Sequence, residues 1–354
     1  MDIRIEKNTA PKPKPDWNNL GFGEFFSDHM FMLDYVAGKG WHDARIIPYG
    51  PISMEPSAMV LHYALEVFEG MKGYPCPDGK IRMFRPYDNA ARINRSAARF
   101  CMPPIPEDDF VESIRRLILI DKDWVPRAEG TSLYIRPFIY SDQSNVGVRL
   151  PDVFKYVVIL SPVGAYYKEG LNPVSIYVED EYVRAAKGGT GYTKCGGNYA
   201  ASMIAQKKAK DLGYTQVLWL DGVERKYIEE VGTMNVMFKT KGEILTPELG
   251  DSVLPGITRA SAMQLLRDWG YPVAERKISI DELHAAAKNG DLEEAFGTGT
   301  AAVISPIGLL CIHGERLQVG DGRIGPTSQR LYDTLTGIQW GRLPDPHNWT
   351  YEVN

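Results

Sequence analysis

Lys194 stands directly before Cys195 and a Gly196-Gly197-Asn198-Tyr199 run. Glu230 lies about a helix and a hairpin downstream, and Gly297-Thr298-Gly299-Thr300 comes later. A lysine amine can condense with an aldehyde, and a carboxylate can hold a ring nitrogen protonated. Small residues with unobstructed backbone N–H groups can receive a phosphate. Pyridoxal phosphate needs all three, so amine chemistry is the first reading.

Each group also has an ordinary reading on its own. Lys194 alone is most simply a solvated surface charge, and Glu229-Glu230 a pair of carboxylates at a hairpin end. Leu254-Pro255-Gly256-Ile257-Thr258-Arg259 puts a tight turn before a helix, where free N–H groups and the Thr258 hydroxyl converge on an anion or merely form an N-cap. Arg92 reads by position as a solvated helix arginine, yet its guanidinium would grip a phosphate with two bonds where a lysine offers a point charge. The glycines after Lys194, and Tyr199 one turn later as a donor to an anionic phenolate, tilt the balance because they serve one flat, anionic ligand. No Gly-Lys-Ser/Thr follows the glycine runs and no GxGxxG stands between strand and helix, so neither nucleotide motif applies.

The elements that must carry these groups follow from periodicity. After a loose, Pro-rich arm, Ala58, Leu61, Leu65 and Phe68 fall at helical spacing up to Gly70. Ile81–Phe84 reads as a strand. Pro86 opens a helix with Ala90, Ile93, Ala97 and Phe100 on one face and Arg92, Arg95 and Arg99 on the other. A helix near 109–121 and strands over Thr131–Tyr140 and Phe154–Leu160 complete an α+β first domain, residues 1–160. Residues 161–173, with Tyr166-Tyr167, read as an interdomain connection, and 174–354 as a large C-terminal domain carrying Lys194. Within it, a helix from about 199 to 212 ends at Gly213. Short strands between 217 and 245 read as an antiparallel meander, and helices follow at 258–269 and 281–288.

With 354 residues, 44% hydrophobic and 24% charged, the chain has room for two cores, and a net charge of −5 gives no attraction to nucleic acid. Cys76, Cys101, Cys195 and Cys311 are scattered and read as reduced thiols. No apolar leader opens the chain and no run approaches the ~18 apolar residues of a membrane span, so the expected place is the cytoplasm. The six histidines never fall at i,i+4 or as HxH, so no metal is expected.

From about Trp17 to the C-terminus the chain resembles the branched-chain amino acid aminotransferases, in the class IV group of pyridoxal-phosphate enzymes. The likeness is carried by Leu61-His62-Tyr63, Phe68-Glu69-Gly70-Met71-Lys72, Phe84-Arg85-Pro86, Tyr134-Ile135-Arg136-Pro137 and Pro162-Val163-Gly164-Ala165-Tyr166. It continues in Lys194-Cys195-Gly196-Gly197-Asn198-Tyr199, Glu230-Val231-Gly232-Thr233-Met234-Asn235, Leu254-Pro255-Gly256-Ile257-Thr258-Arg259 and Gly299-Thr300-Ala301.

The resemblance implies fold type IV, with a small α/β domain and a larger pseudo-barrel α/β domain, and a homodimer completing the site. It implies Lys194 as the Schiff-base lysine, Glu230 as the pyridine-nitrogen partner and Tyr199 as the phenolate donor. Arg92, Ile257, Thr258 and Thr300 would form the phosphate cup. Tyr63, Phe68, Tyr134, Tyr166, Thr233 and Ala301 would line the substrate pocket, with Arg136 at its mouth. The implied reaction is a ping-pong exchange between L-leucine, isoleucine or valine and 2-oxoglutarate. Ala302 and Ser305 stand where mammalian members carry a redox CxxC, and Thr298 where many relatives have Ser. A lyase acting on aminodeoxychorismate, a cofactor-free Schiff-base lyase and a silent binding protein on the same scaffold are the competing readings.

Overall fold

The computed structural model describes residues 1–164 and 171–354. The chain forms two compact units, residues 1–166 with 193–196 and 337–354, and residues 167–192 with 197–336. The first carries β1 (Arg4–Ile5), β2 (His29–Val36), β3 (Gly40–Pro48), α1 (Met59–Tyr63), β4 (Glu66–Phe68), β5 (Met71–Pro75), β6 (Ile81–Phe84), α2 (Pro86–Arg99), α3 (Glu107–Ile120), β7 (Ser132–Ser141) and β8 (Val153–Val163). The second carries β9 (Val174–Glu179), β10 (Gln216–Leu220), β11 (Ile228–Val231), β12 (Asn235–Thr240), β13 (Ile244–Thr246), α5 (Ile257–Asp268), β14 (Val273–Glu275), α6 (Ile280–Asn289), β15 (Leu292–Gly299), β16 (Val303–Ile312) and β17 (Glu315–Gln318). Helices α4 (Gly196–Asp211) and α7 (Pro326–Gln339) run across the division, and β18 (Thr350–Glu352) returns to the first unit by pairing with β6. The Lys194 segment and the tail both belong with the first unit.

The first sheet runs β1-β3-β2-β8-β7-β5-β6-β18, with β4 beside β7. Alternation on β7 buries Leu133, Ile135 and Ile139 in the core with Val67 of β4 and the faces of α2 and α3. Residues read as a loose arm form β2 and β3, because Phe31 and Leu33 alternate into that core. The helix expected up to Phe68 stops after α1. Ala64 turns left-handed at φ 50, and Glu66–Phe68 gains strand partners on β7 that a longer helix would lose. Leu61 is exposed rather than core.

The second sheet runs β11-β10-β9-β16-β15-β12-β13-β14. Its strands between 216 and 246 pair in part as the expected meander, β10 with β11 and β12 with β13, both antiparallel. β10 also pairs with β9 in parallel and β12 with β15, so β11 and β12 are far apart in the strand order. α5 packs against β15. Among the described residues no helix is long and apolar enough to cross a membrane.

Candidate active site

The same alternation that builds the first core exposes a working face. On β7, Tyr134, Arg136 and Phe138 point away from Leu133, Ile135 and Ile139 and are half-buried. Strand register sets Phe68 opposite Phe138, Glu66 opposite Tyr140, and Lys72 of β5 opposite Tyr134, so all share that face. Arg136 donates from Nη2 to the Tyr134 hydroxyl at 3.0 Å. Gly70 is required beside it, since a Cβ there would collide with that hydroxyl. Burial pushes the Lys72 ammonium down to about 8.

Lys194 is held on this face by its backbone. Its N–H donates to Ser96 Oγ at 3.0 Å, its carbonyl accepts the Phe68 N–H at 2.9 Å, and the Gly196 N–H donates to the Glu66 carboxylate. Its Nζ lies 4.8 Å from the Phe68 ring centroid, and the Arg136 guanidinium carbon is also 4.8 Å from it. Phe68 is therefore flanked by two cations, a favourable use of its ring quadrupole.

Helix α2 supplies the rest through a polar stripe, Asn89, Arg92 and Ser96, beside its apolar stripe Ala90, Ile93 and Ala97. Arg92 is only 4% exposed, against the sequence expectation of a solvated face. It grips Glu69 side-on, Nε to Oε1 at 2.6 Å and Nη2 to Oε2 at 2.8 Å, and Asn89 Nδ2 donates to Oε2 at 2.7 Å. Burial alone would raise the Glu69 carboxyl, but Arg92 and then Lys194 hold it below the usual carboxylate range. Arg92 and Lys194, far apart in sequence, thus act on one carboxylate.

In the second unit, Glu230 on β11 is 3% exposed. Arg184 donates Nε to Oε2 and Nη2 to Oε1, both at 2.8 Å, and the Leu254 N–H donates to Oε1 at 2.7 Å. Burial disfavours the Arg184 charge, yet Glu230 and, further out, Tyr199 raise its pKa above the ordinary arginine value. Tyr199, in the first turn of α4, therefore sits within electrostatic reach of this pair. Glu229 points elsewhere and accepts from the Ser252 hydroxyl, which separates the two neighbouring acids. Sequence reasoning missed Arg184 because a single arginine before a glycine run carries no spacing signal.

Two residues beyond Leu254, Gly256 opens α5 with no side-chain cap. Asn235 fixes this turn by donating to the Leu254 carbonyl at 2.9 Å, and a Cβ on Gly256 would collide with its amide. Ile257 and Thr258 stand in the first turn, so their N–H groups are among those a helix leaves for an outside acceptor. Thr300 and Ala301 occupy the turn from β15 to β16. Thr298 is 1% exposed and its Oγ1 has no hydrogen-bond partner among the described residues, an orphan that fits a site built for an added acceptor. These features fit a phosphate-bearing cofactor.

Of the other expected pocket residues, Thr233 is exposed in the β11–β12 turn, and Tyr63 ends α1 with its hydroxyl on the Val146 carbonyl at 2.6 Å, while Tyr166 lies outside the described residues. Only Phe68, Tyr134 and Arg136 of the expected pocket gather around Lys194 within the first unit. Among the described residues no group of three or more His, Cys, Asp or Glu is placed to hold a metal ion.

Residues 66–310 match the family described as amino-transferase class IV. The chain is 56% identical over 351 residues to branched-chain-amino-acid aminotransferase 2 of Bacillus subtilis (strain 168), covering 99% of this chain and 97% of that one. Its fold is similar to the crystal structure of the branched-chain amino acid aminotransferase of Escherichia coli, with a TM-score of 0.77 and 28% identity over 92% of this chain and 99% of that one. It is also similar to a T.th. branched-chain amino acid aminotransferase solved with pyridoxamine 5'-phosphate, with a TM-score of 0.76 and 26% identity over 91% and 98%. The same T.th. protein has been solved complexed with N-(5'-phosphopyridoxyl)-L-glutamate.

Proposed function

This chain belongs to the class IV aminotransferases, within them to the branched-chain-amino-acid aminotransferases, and from that membership and the site geometry we propose that it moves the amino group between L-leucine, isoleucine or valine and 2-oxoglutarate on pyridoxal 5'-phosphate. The observation that carries this reading is Lys194, pinned through its backbone at Ser96 and Phe68 with its Nζ over an aromatic ring and beside the Arg92–Glu69 pair. The glutamate adduct of the T.th. relative supports 2-oxoglutarate as the second substrate.

When bound, the cofactor supplies an electron-withdrawing ring that stabilises negative charge at the substrate Cα. Lys194 would hold it through Nζ, and its amine, when free, would serve as the base that takes the substrate Cα proton and returns it on the cofactor side. Glu230, fixed by Arg184, keeps the proton on the ring nitrogen, and Tyr199 donates to the phenolate oxygen. Arg92, the first-turn N–H groups at Ile257 and Thr258, and Thr300 receive the phosphate. Phe68 and Tyr134, with Tyr63, Tyr166, Thr233 and Ala301, shape an apolar pocket, and Arg136 binds a carboxylate at its mouth. The two half-reactions alternate, the branched 2-oxo acid leaving before 2-oxoglutarate enters.

Leu61 and Tyr63 of α1 are exposed, as are Val146, Val148 and Leu150 of the loop whose Val146 carbonyl accepts the Tyr63 hydroxyl, and apolar side chains left uncovered there support a homodimer. The four free cysteines suit the reducing cytoplasm.

The test is the visible spectrum of the purified protein, followed through addition of L-leucine and then 2-oxoglutarate. A cofactor band that is lost with leucine and restored by 2-oxoglutarate is expected. A colourless protein unchanged by incubation with pyridoxal phosphate would overturn the reading.

A further inference from the structure

The face around Lys194 holds a carboxylate that the reaction above does not use. Lys72 of β5, Arg136 of β7 and Lys194 bring three cations to it. Of its two carboxylates, Glu69 is consumed by Arg92 and Asn89. The other is Glu66, two residues before Phe68 on the same side of β4. It accepts the Gly196 N–H, the first peptide of α4, and a Cβ on Gly196 would strike the Glu66 carboxylate. Arg136, on the same face of β7, acts on it electrostatically.

We propose that Glu66 is a specificity-determining counter-charge. Its carboxylate partly neutralises Arg136, so the pocket mouth holds the second carboxylate of 2-oxoglutarate or glutamate weakly enough for aliphatic side chains to compete in the same space. The inference rests on the transaminase reading and on Arg136 as the group that meets a substrate carboxylate.

The physical reasoning is electrostatic. An aliphatic side chain brings no charge to this face, so Glu66 changes its binding little. A dicarboxylate must place a negative group near Arg136 while the Glu66 charge on the same face already acts on that guanidinium, and the repulsion falls on this substrate alone. Arg136 is also committed to the Tyr134 hydroxyl and to the Phe68 ring, so its direction is fixed and the neighbouring charge, not rearrangement, sets its pull. Burial pushes the Glu66 carboxyl up, while Gly196 and Arg136 pull it back, as expected of a carboxylate enclosed near but not saturated by cations.

The experiment measures the KM of the holoenzyme for L-leucine and for 2-oxoglutarate in wild type, Glu66→Gln and Glu66→Asp. Glutamine keeps an oxygen for the Gly196 N–H and removes the charge, whereas aspartate keeps the charge. The ratio of the leucine KM to the 2-oxoglutarate KM is expected to rise on the order of tenfold in Glu66→Gln, the size of removing one unit charge from a half-buried site, and to stay within about twofold in Glu66→Asp. Should Glu66→Gln fail to fold, Glu66→Ser is the second neutral variant and carries the same expectation. An unchanged ratio in the neutral variant, or one common factor on both KM values as a purely structural anchor of Gly196 would give, overturns the proposal. Wild-type protein that fails to exchange leucine with 2-oxoglutarate overturns the transaminase reading instead, and is measured first.

Discussion

Replacing Arg184 by methionine removes one half of a buried ion pair and leaves the other half in place. Glu230 is 3% exposed and Arg184 8%, and the guanidinium makes two bonds of 2.8 Å to the two carboxylate oxygens. It also donates to the Gly191 carbonyl at 2.9 Å, tying the Gly-rich passage before Lys194 to the same centre. Without it the carboxylate keeps only the Leu254 N–H at 2.7 Å. Stranding one charge of a buried pair costs about 3–5 kcal/mol, a large share of the roughly 5–15 kcal/mol that holds a domain folded. The chemical loss should be larger than this figure suggests, because Glu230 then lacks the group that orients it for its proposed role at the ring nitrogen.

The assay is urea denaturation of the holoenzyme at a fixed excess of pyridoxal phosphate, since bound cofactor stabilises by mass action and would otherwise blur the comparison. The half-reaction rate with leucine is followed by rapid mixing. Arg184→Met should lose about 3–5 kcal/mol and most of the rate. The double replacement Arg184→Met with Glu230→Met should recover much of the stability, because two apolar side chains remove both desolvated charges together, while the chemistry stays absent. An Arg184→Met enzyme within about 1 kcal/mol of wild type and at full rate, or a double variant no more stable than the single one, would refute the reasoning.

Glu230→Gln should slow the single-turnover rate with leucine far more than it weakens cofactor binding, and a near-normal single-turnover rate would count against the ring-nitrogen role. Lys72 gives a pH dependence. Its pKa of about 8 lies below the unfolded value of 10.5, so the unfolded chain binds more protons between these values and stability rises with pH. Wild type should gain about 1 kcal/mol between about pH 7 and 9 relative to Lys72→Met, measured by denaturation at both, and parallel curves would contradict the burial argument. Val148→Asp places a charge in a patch where Val148 is 87% exposed and Val146 78%. Light scattering at fixed concentration should show a shift from dimer toward monomer, and an unchanged dimer would remove this patch from the interface.

What the sequence made legible, and what it hid, divides along physical lines. Helices α2 and α3 and strands β7 and β8 were readable because long patterned runs leave few alternatives. The stretch from Ala58 to Phe68 was not, because its apolar spacing fits a helix while Ala64 takes a left-handed turn and β7 offers Glu66–Phe68 a sheet edge. Lys194, Tyr199 and Glu230 were singled out from their neighbours and, with Arg92, assigned roles by the family resemblance. Position alone suggested a solvated Arg92, since an arginine on a helix gives no sign of a buried acid waiting for it. Glu66 and Arg184 left no trace for the same reason. Each is defined by a partner distant in sequence, Gly196 for one and Glu230 for the other. The return of β18 to β6 was likewise a long-range pairing with no local signature.

The two buried arginine–carboxylate pairs are hard to explain as stabilisers. Each removes two charges from water, and well-packed apolar side chains in their place would hold the fold at least as well. Their geometry points to positioning instead. In Glu69, Oε1 takes Arg92 Nε, while Oε2 takes Arg92 Nη2, Asn89 and the Gly70 N–H at 3.1 Å. In Glu230, Oε1 takes Arg184 Nη2 and the Leu254 N–H, and Oε2 takes Arg184 Nε. Donors from several segments leave neither carboxylate a rotation to make when a ligand arrives, which is the preorganisation that electrostatic catalysis requires. The consequence is sharpest at Leu254. Its N–H ends on Glu230 and its carbonyl is clamped by Asn235, and two residues later Gly256 opens α5. The carboxylate proposed for the ring nitrogen and the helix terminus proposed for the phosphate are therefore joined by a link too short and too tightly held to let one move without the other.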